Sequence, residues 1–223
     1  MTTTTLSTTG LPAISAPTRV FATLISYIFH PIFLVPLMGA FLIYGVPGLY
    51  TGLDTHVKNF ILLRLVANAL FFPLLGILLT RALKLVSSLT MEDRKDRIIP
   101  YVITLTCYFW TWRVMQYQQF PTAPMTAMIF GAFLSTSMAL VLNSFYKISM
   151  HAIGVGGLVM FMLLLGWQGA EGIGIPLALS ILIAGLVCSA RLAISDHSNK
   201  EILFGLAIGV VGQALGFVFF HGA

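Results

Sequence analysis

The feature that most limits how this chain folds is a series of seven apolar runs, each near the length of a membrane-crossing helix. About 20 apolar residues span the bilayer core as a helix. Only 9% of the residues are charged, against about 25% in soluble domains. We therefore expect an all-α, polytopic transmembrane bundle of about seven helices, with six as the alternative count. The predicted spans are 21–46, 58–80, 98–118, 122–143, 149–168, 174–191 and 202–220.

The rest of the chain has no room for a soluble domain. Residues 1–19 are rich in Thr, Ser and Pro and lack the pattern of a signal peptide, so they are predicted to be a flexible tail. Residues 20–223 are predicted to form a single transmembrane domain, with a kink at His30-Pro31. This organisation argues against a soluble enzyme and a nucleic-acid partner. Any active site must be built from helix ends and short loops.

Charge is concentrated on one predicted membrane face. With seven spans, the N-terminal tail and the loops after the second, fourth and sixth helices share that face, which carries nine of the twelve Lys and Arg residues and five of the seven acidic residues. The positive-inside rule makes this face cytoplasmic. Four of these nine basic residues are candidate phosphate ligands, described below. Without them the count is five basic residues on this face against three on the opposite face, which does not decide which face is cytoplasmic.

The loop after the second span contains six consecutive charged residues, from Glu92 to Arg97. One explanation is a solvated surface loop. The other is an anion clamp in which Arg94, Lys95 and Arg97 present N–H groups to phosphate oxygens, with Glu92 or Asp93 holding them in place.

Two further polar loops carry histidines at helix starts. In one, Ser149 is a candidate helix N-cap, and His151 follows in the first turn, with either a structural or a catalytic role. In the other, Arg191 is followed by His197 and Glu201. A capping box explains Glu201 structurally, and its spacing of four from His197 also lets the carboxylate orient the imidazole ring. Both roles are compatible.

Taken together, these loops resemble the type-2 phosphatidic acid phosphatase superfamily of integral-membrane lipid phosphatases. The third motif of that family is Ser-Arg, five residues, His, three residues and Asp, and here it reads Ala190-Arg191, five residues, His197, three residues and Glu201. The second is Pro-Ser-Gly-His, here Ile148-Ser149-Met150-His151. The resemblance covers most of residues 21–220 and is closest to a divergent bacterial branch.

The chain departs from the family pattern at several positions. Ala190 replaces a Ser hydroxyl, Met150 replaces Gly, and Glu201 replaces Asp on a longer arm. The first motif, a Lys with Arg-Pro seven residues on, has no clear counterpart, because Arg97 is separated from Pro100 by two isoleucines. Both histidines and the arginine of the third motif are present.

The resemblance implies a metal-independent hydrolase without a cofactor. His197 would attack phosphorus to form a phosphohistidine, Glu201 would orient its ring, and His151 would act as acid and then base. The implied substrate is a lipid phosphate or prenyl diphosphate reached from the bilayer of the cell (inner) membrane. The residues implied to bind its phosphate are Arg191, Arg94, Arg97, Lys95 and Ser149.

Other functions stay open at this stage. A binding or transport protein would keep the phosphate pocket without turnover, as Met150 and Ala190 suggest. A structural subunit, or a homo-oligomer, would instead use a glycine stripe in the last helix to pack closely. We expect this stripe to lie inside the bundle. Its members are Gly205, Gly209, Gly212 and Gly216.

Overall fold

The chain folds as an all-α bundle, which confirms the fold class predicted from the apolar runs. The computed structural model describes residues 15–85, 94–117, 123–194 and 197–221. Within these ranges there are eight helices: α1 (Ala16–Ile28), α2 (Pro31–Gly45), α3 (Thr55–Ala82, with a π-helical segment at Ala67–Phe71), α4 (Ile98–Gln116), α5 (Ala123–Asn143), α6 (Met150–Trp167), α7 (Gly174–Ile194) and α8 (Asn199–His221).

Each predicted span has a helical counterpart, but not all are equally apolar. Among the described residues, five helices (α3 and α5 to α8) are long and apolar enough to cross a membrane. The count becomes six if α1 and α2, which are bent by 55°, form one broken span. Helix α4 has 19 residues but falls short in hydropathy, because Thr, Tyr and Trp side chains and Arg113 interrupt its apolar run. Of these side chains, Tyr101, Tyr108 and Thr111 are buried inside the bundle.

The first span was predicted as one helix over 21–46, but the structure has two helices there, α1 and α2. Helix α1 begins at Ala16, where the Ser15 side chain accepts a hydrogen bond from the Thr18 N–H, so the predicted tail boundary at residue 19 is wrong. The helix ends at Ile28, and α2 begins at Pro31, which has no N–H to continue the ladder. The predicted kink at His30-Pro31 is thus confirmed. The rest of the predicted tail, residues 1–14, lies outside the described residues.

The glycine stripe of α8 lies at the centre of the bundle, as predicted. Helix α8 packs most extensively against α5 and α6. A Cβ atom added at Gly216 would lie 2.6 Å from both the Ala127 oxygen and the Gly131 nitrogen. Glycine therefore allows the α5 and α8 backbones to approach more closely than any other residue would.

Substitution within this stripe should destabilise the bundle. We expect Gly209→Ala to lower the free energy of unfolding by about 1 to 3 kcal/mol, because overpacking forces the helices apart. The added Cβ would clash with the Ile153 oxygen and lie 2.6 Å from the Gly157 nitrogen. The measurement is thermal unfolding of purified protein in detergent.

The matched control is Gly185→Ala. Gly185 lies within α7 and has nothing within 4 Å of its added Cβ, so alanine there should be neutral or stabilising by up to about 1 kcal/mol. Equal unfolding temperatures for the two variants would contradict this description of the α6–α8 interface.

Candidate functional site

The structure brings the three polar loops together at one end of the bundle. Arg97, which precedes α4, donates from Nη1 to the Ile148 carbonyl oxygen at 2.9 Å. The next residue, Ser149, donates its backbone N–H to the Glu201 carbonyl oxygen at 3.5 Å. The first contact joins the loop before α4 to the loop before α6, and the second joins the loop before α6 to the start of α8. This meeting was predicted from the alternation of the spans, which places these loops on the same membrane face.

A cavity of about 450 Å³ extends from this junction into the bundle. Its polar wall combines three cationic side chains with three histidines. None of the described residues that line it is a carboxylate. Buried positive charge without a lining carboxylate favours an anionic ligand. The six polar-wall residues are His30, Arg97, Lys147, His151, Arg191 and His197.

His197 is held by Glu201 in the way the spacing predicted. Its Nδ1 lies 3.2 Å from Glu201 Oε2, and the residue is only 8% exposed. With the Nδ1–H donated to the carboxylate, the neutral ring carries its lone pair on Nε2. An imidazole oriented by a carboxylate in this way suits a nucleophile or a base.

The surroundings of His197 keep its ring neutral. Burial lowers the pKa of His197 from its ordinary value of 6.5, and the charges of Arg97 and Arg191 lower it further. The hydrogen bond and charge of Glu201 act in the opposite direction, but the net shift of the pKa is downward. The ring is therefore unprotonated at Nε2 at neutral pH, the form in which this nitrogen can act as a nucleophile or a base.

Glu201 also has the structural role that the capping box predicted. Its Oε2 accepts the Ser198 N–H at 2.9 Å, and the Ser198 Oγ accepts the Glu201 N–H at 3.3 Å. The same carboxylate oxygen thus caps α8 and holds His197. Because one atom serves both contacts, the first turn of α8 fixes the position of the imidazole ring.

His151 lies in the first turn of α6 and points to the break in the first span. Its Nε2 is 3.1 Å from the Ser26 carbonyl oxygen. A carbonyl only accepts, so Nε2 carries the proton, and Nδ1 is the nitrogen that exchanges a proton with a ligand. His151 therefore faces the cavity as an acid or base through Nδ1.

Three of the predicted phosphate ligands do not line the cavity. Arg94 donates from Nη1 to the carbonyl oxygens of Phe145 at 2.7 Å and Ser144 at 3.4 Å, where it closes the end of α5. Ser149 is fully buried, and its Oγ accepts the Ala152 N–H at 3.4 Å as the N-cap of α6. Lys95 is exposed. Of the predicted set, Arg97 and Arg191 lie on the cavity wall.

Other residues of the cavity were not predicted from the sequence. His30 was interpreted only as part of a kink, yet its ring lies edge-on to that of His151, with centroids 5.1 Å apart. Gln213 is 5% exposed within α8 and donates to the Met128 carbonyl oxygen at 3.1 Å. An amide in an otherwise apolar span is a signal that could have identified it. Lys147 also lines the cavity.

The structure does not test two predictions for this region. Glu92 and Asp93, predicted to hold the arginine clamp, lie outside the described residues. In the part of the chain that is described, no group of three or more His, Cys, Asp or Glu side chains could hold a metal ion. Metal independence stays a prediction.

Comparisons of the chain with protein-family models, with curated proteins and with solved structures found no significant match.

Proposed function

We propose that this protein is a membrane-embedded phosphatase that hydrolyses a lipid phosphate or prenyl diphosphate through a phosphohistidine on His197. The observation that carries the proposal is the cavity wall, where His197, whose Nδ1 is bound by Glu201, meets Arg97, Lys147 and Arg191, and where none of the described lining residues is a carboxylate. The resemblance of the polar loops to type-2 phosphatidic acid phosphatases supports the same chemistry.

Phosphate binding follows from the charges on this wall. Arg97 is 4% exposed, Arg191 is partly buried, and both line the cavity. A phosphate bound there would be attracted by both guanidinium charges. Arginine also matches phosphate oxygens with forked N–H groups. We therefore assign Arg97 and Arg191 as the main phosphate ligands, with Lys147 as a third positive charge.

In the first step, His197 Nε2 attacks phosphorus and the bond from phosphorus to the lipid oxygen breaks. The leaving oxygen takes a proton from His151 Nδ1, which first receives that proton from the phosphate of the substrate, bound as its monoanion. Glu201 stabilises the positive ring of His197 as the phosphorus–nitrogen bond forms. The arginines stabilise charge on the phosphoryl oxygens.

In the second step, water attacks the phosphohistidine. His151 Nδ1 takes the proton from water, the phosphorus–nitrogen bond breaks, and phosphate leaves with His197 Nε2 restored as a lone pair. His151 gives that proton to the departing phosphate and ends the cycle neutral, as it began, so protons balance over the two steps. The Ser26 carbonyl keeps the proton on Nε2 throughout and confines the exchange to Nδ1.

Helix α1 lines part of the cavity, which suggests how a lipid would reach it. Tyr27 lines the cavity and is 70% exposed. The neighbouring side chains Leu24 and Ile28 are exposed and apolar, as expected for a surface in contact with acyl chains. We propose that the headgroup enters past Tyr27 while its tails stay in the bilayer of the cell membrane.

The direct test is release of phosphate by purified protein in detergent with EDTA present. The substrates are phosphatidate, phosphatidylglycerophosphate and a polyprenyl diphosphate. We expect metal-free release from at least one. Tight lipid-phosphate binding without any release would instead identify a binding or transport protein, an alternative favoured by Met150, which lines the cavity, and by Ala190, which lacks a hydroxyl.

The pKa of His197 predicts the pH dependence of this activity. Because the folded pKa lies below 6.5, Nε2 is protonated only in more acidic solution. We expect the acidic limb of kcat/KM to lie below pH 6.5, with kcat/KM falling as pH decreases through the lowered pKa of His197.

Glu201→Gln provides the matched variant for the pH–rate profile. Loss of the carboxylate removes the interactions that raise the pKa, so the acidic limb should move to lower pH while the plateau falls about 100-fold or more. An acidic limb above pH 6.5 in the wild type, or no displacement in the variant, would contradict the assignment to His197.

A further inference from the structure

His30 occupies a position in the cavity that the motif residues do not explain. It lies at the break between α1 and α2, far in sequence from the three polar loops, and it lines the same cavity as Arg191 and His197. Its ring meets that of His151 edge-on, at an interplanar angle of 85°. The broken first span thus contributes a third histidine to the polar wall.

The contacts of His30 define which of its nitrogens is a donor. As the N-cap of α2, its Nδ1 accepts the Ile32 N–H at 3.4 Å. A neutral ring that accepts at Nδ1 carries its proton on Nε2, which lies on the far side of the ring from the backbone. His30 therefore caps α2 through Nδ1 and still has the Nε2–H group to donate to another acceptor.

Two of the predicted phosphate ligands near the junction are committed to structural contacts. The Ser149 hydroxyl caps α6, and Arg94 binds loop carbonyls. Hydrogen bonds to phosphate therefore come from the wall itself, where Arg97 and Arg191 supply charge. A neutral donor there adds a hydrogen bond without adding another positive charge to the wall.

We propose that His30 is a ligand-binding residue of this site and donates its Nε2–H to an oxygen of the bound phosphate. This inference rests on the proposed function and extends it to a residue outside the motifs. The phosphate is held on one side by the loops before α4, α6 and α8 and on the other by the break in the first span.

The two amide substitutions separate binding from capping. In His30→Asn, the amide oxygen takes the place of Nδ1, so the cap on Ile32 is kept and the cavity donor is lost. In His30→Gln, the amide nitrogen reaches the place of Nε2, so the donor is kept and the cap is lost. His30→Ser also keeps a capping oxygen without a donor that reaches the cavity, and it gives a second measurement if the Asn variant is unstable.

The experiment measures the Kd of orthophosphate and of short-chain phosphatidate in detergent, together with the unfolding temperature. We expect Asn and Ser to weaken both affinities about tenfold or more at a near wild-type unfolding temperature. Gln should retain affinity within about threefold while unfolding at a lower temperature. The orthophosphate arm isolates the phosphate contact, and the phosphatidate arm tests it in a lipid.

The opposite pattern, in which Gln loses affinity and Asn and Ser keep it, would assign His30 a structural role only. Wild-type affinity in all three variants would also overturn the proposal, although the proposed function would stand. Wild-type protein that neither binds phosphate nor releases it from lipid would overturn the proposed function, and the role of His30 with it.

Discussion

His197→Asn should reduce phosphate release by at least about 1,000-fold, because it removes the nucleophile. The asparagine amide can still donate to Glu201 from near the position of Nδ1, whose distance to Oε2 is 3.2 Å in the wild type. The first turn of α8 should therefore keep its capping contacts. Only the Nε2 lone pair is absent from the cavity.

Two controls make this result specific to nucleophilic attack. Orthophosphate affinity of His197→Asn should stay close to that of the wild type, since Arg97 and Arg191 are unchanged, and the unfolding temperature should be similar. Substantial residual turnover by His197→Asn would show that His197 is not the attacking group. Loss of both binding and folding would show that the residue acts mainly through the structure of the loop.

Arg191→Gln should reduce kcat/KM by about 100-fold to 1,000-fold, because it removes a charged donor that stabilises the phosphoryl oxygens. Arg191 lies in the last turn of α7 and lines the cavity. Unlike His197→Asn, this variant should also bind orthophosphate more weakly. The measurements are steady-state phosphate release and a phosphate binding isotherm.

Lys200→Gln is the matched control for this loss of charge. Lys200 is an exposed residue of the first turn of α8 and does not line the cavity. Its removal lowers the net charge by the same amount, so turnover and phosphate affinity should stay near those of the wild type. Equal losses in the two variants would indicate a general electrostatic effect and would contradict a specific contact from Arg191.

The meeting of the polar loops could be predicted from sequence because a membrane-spanning chain alternates between two faces. That rule places the loop at Arg97, the loop at Ser149 and the loop at His197 on one side, whatever their detailed conformation. The His197–Glu201 contact was also predictable, because residues four apart are neighbours at a helix start. The first inference depends only on the alternation of spans between the two membrane faces, and the second depends only on the local geometry of a helix start.

The roles within each loop could not be predicted in the same way. Arg94 and Arg97 belong to one charged run, yet one binds loop carbonyls at the surface and the other is buried at the cavity. Which of them turns inward depends on how the run packs against the end of α5. Ser149 similarly caps a helix with the hydroxyl that the family motif would assign to phosphate.

The contribution of His30 required the tertiary structure. Sequence reasoning correctly assigned a kink to His30-Pro31, because proline breaks the backbone ladder. The kink turns the His30 ring toward His151, which is distant in sequence, and only the packing of α2 against α6 creates that contact. The bend that divides the first span also exposes the Ser26 carbonyl to His151.

The most direct test of the central claim is detection of phosphate bound covalently to His197 during turnover. Wild-type protein is mixed with lipid substrate labelled in the phosphate, quenched in alkali to preserve phosphohistidine, and mapped by mass spectrometry. We predict an alkali-stable, acid-labile phosphate on His197 in the wild type and its absence in His197→Asn. The mechanism would be contradicted if the wild type released phosphate with no label on His197. It would also be contradicted if His197→Asn protein still carried an alkali-stable, acid-labile phosphate label.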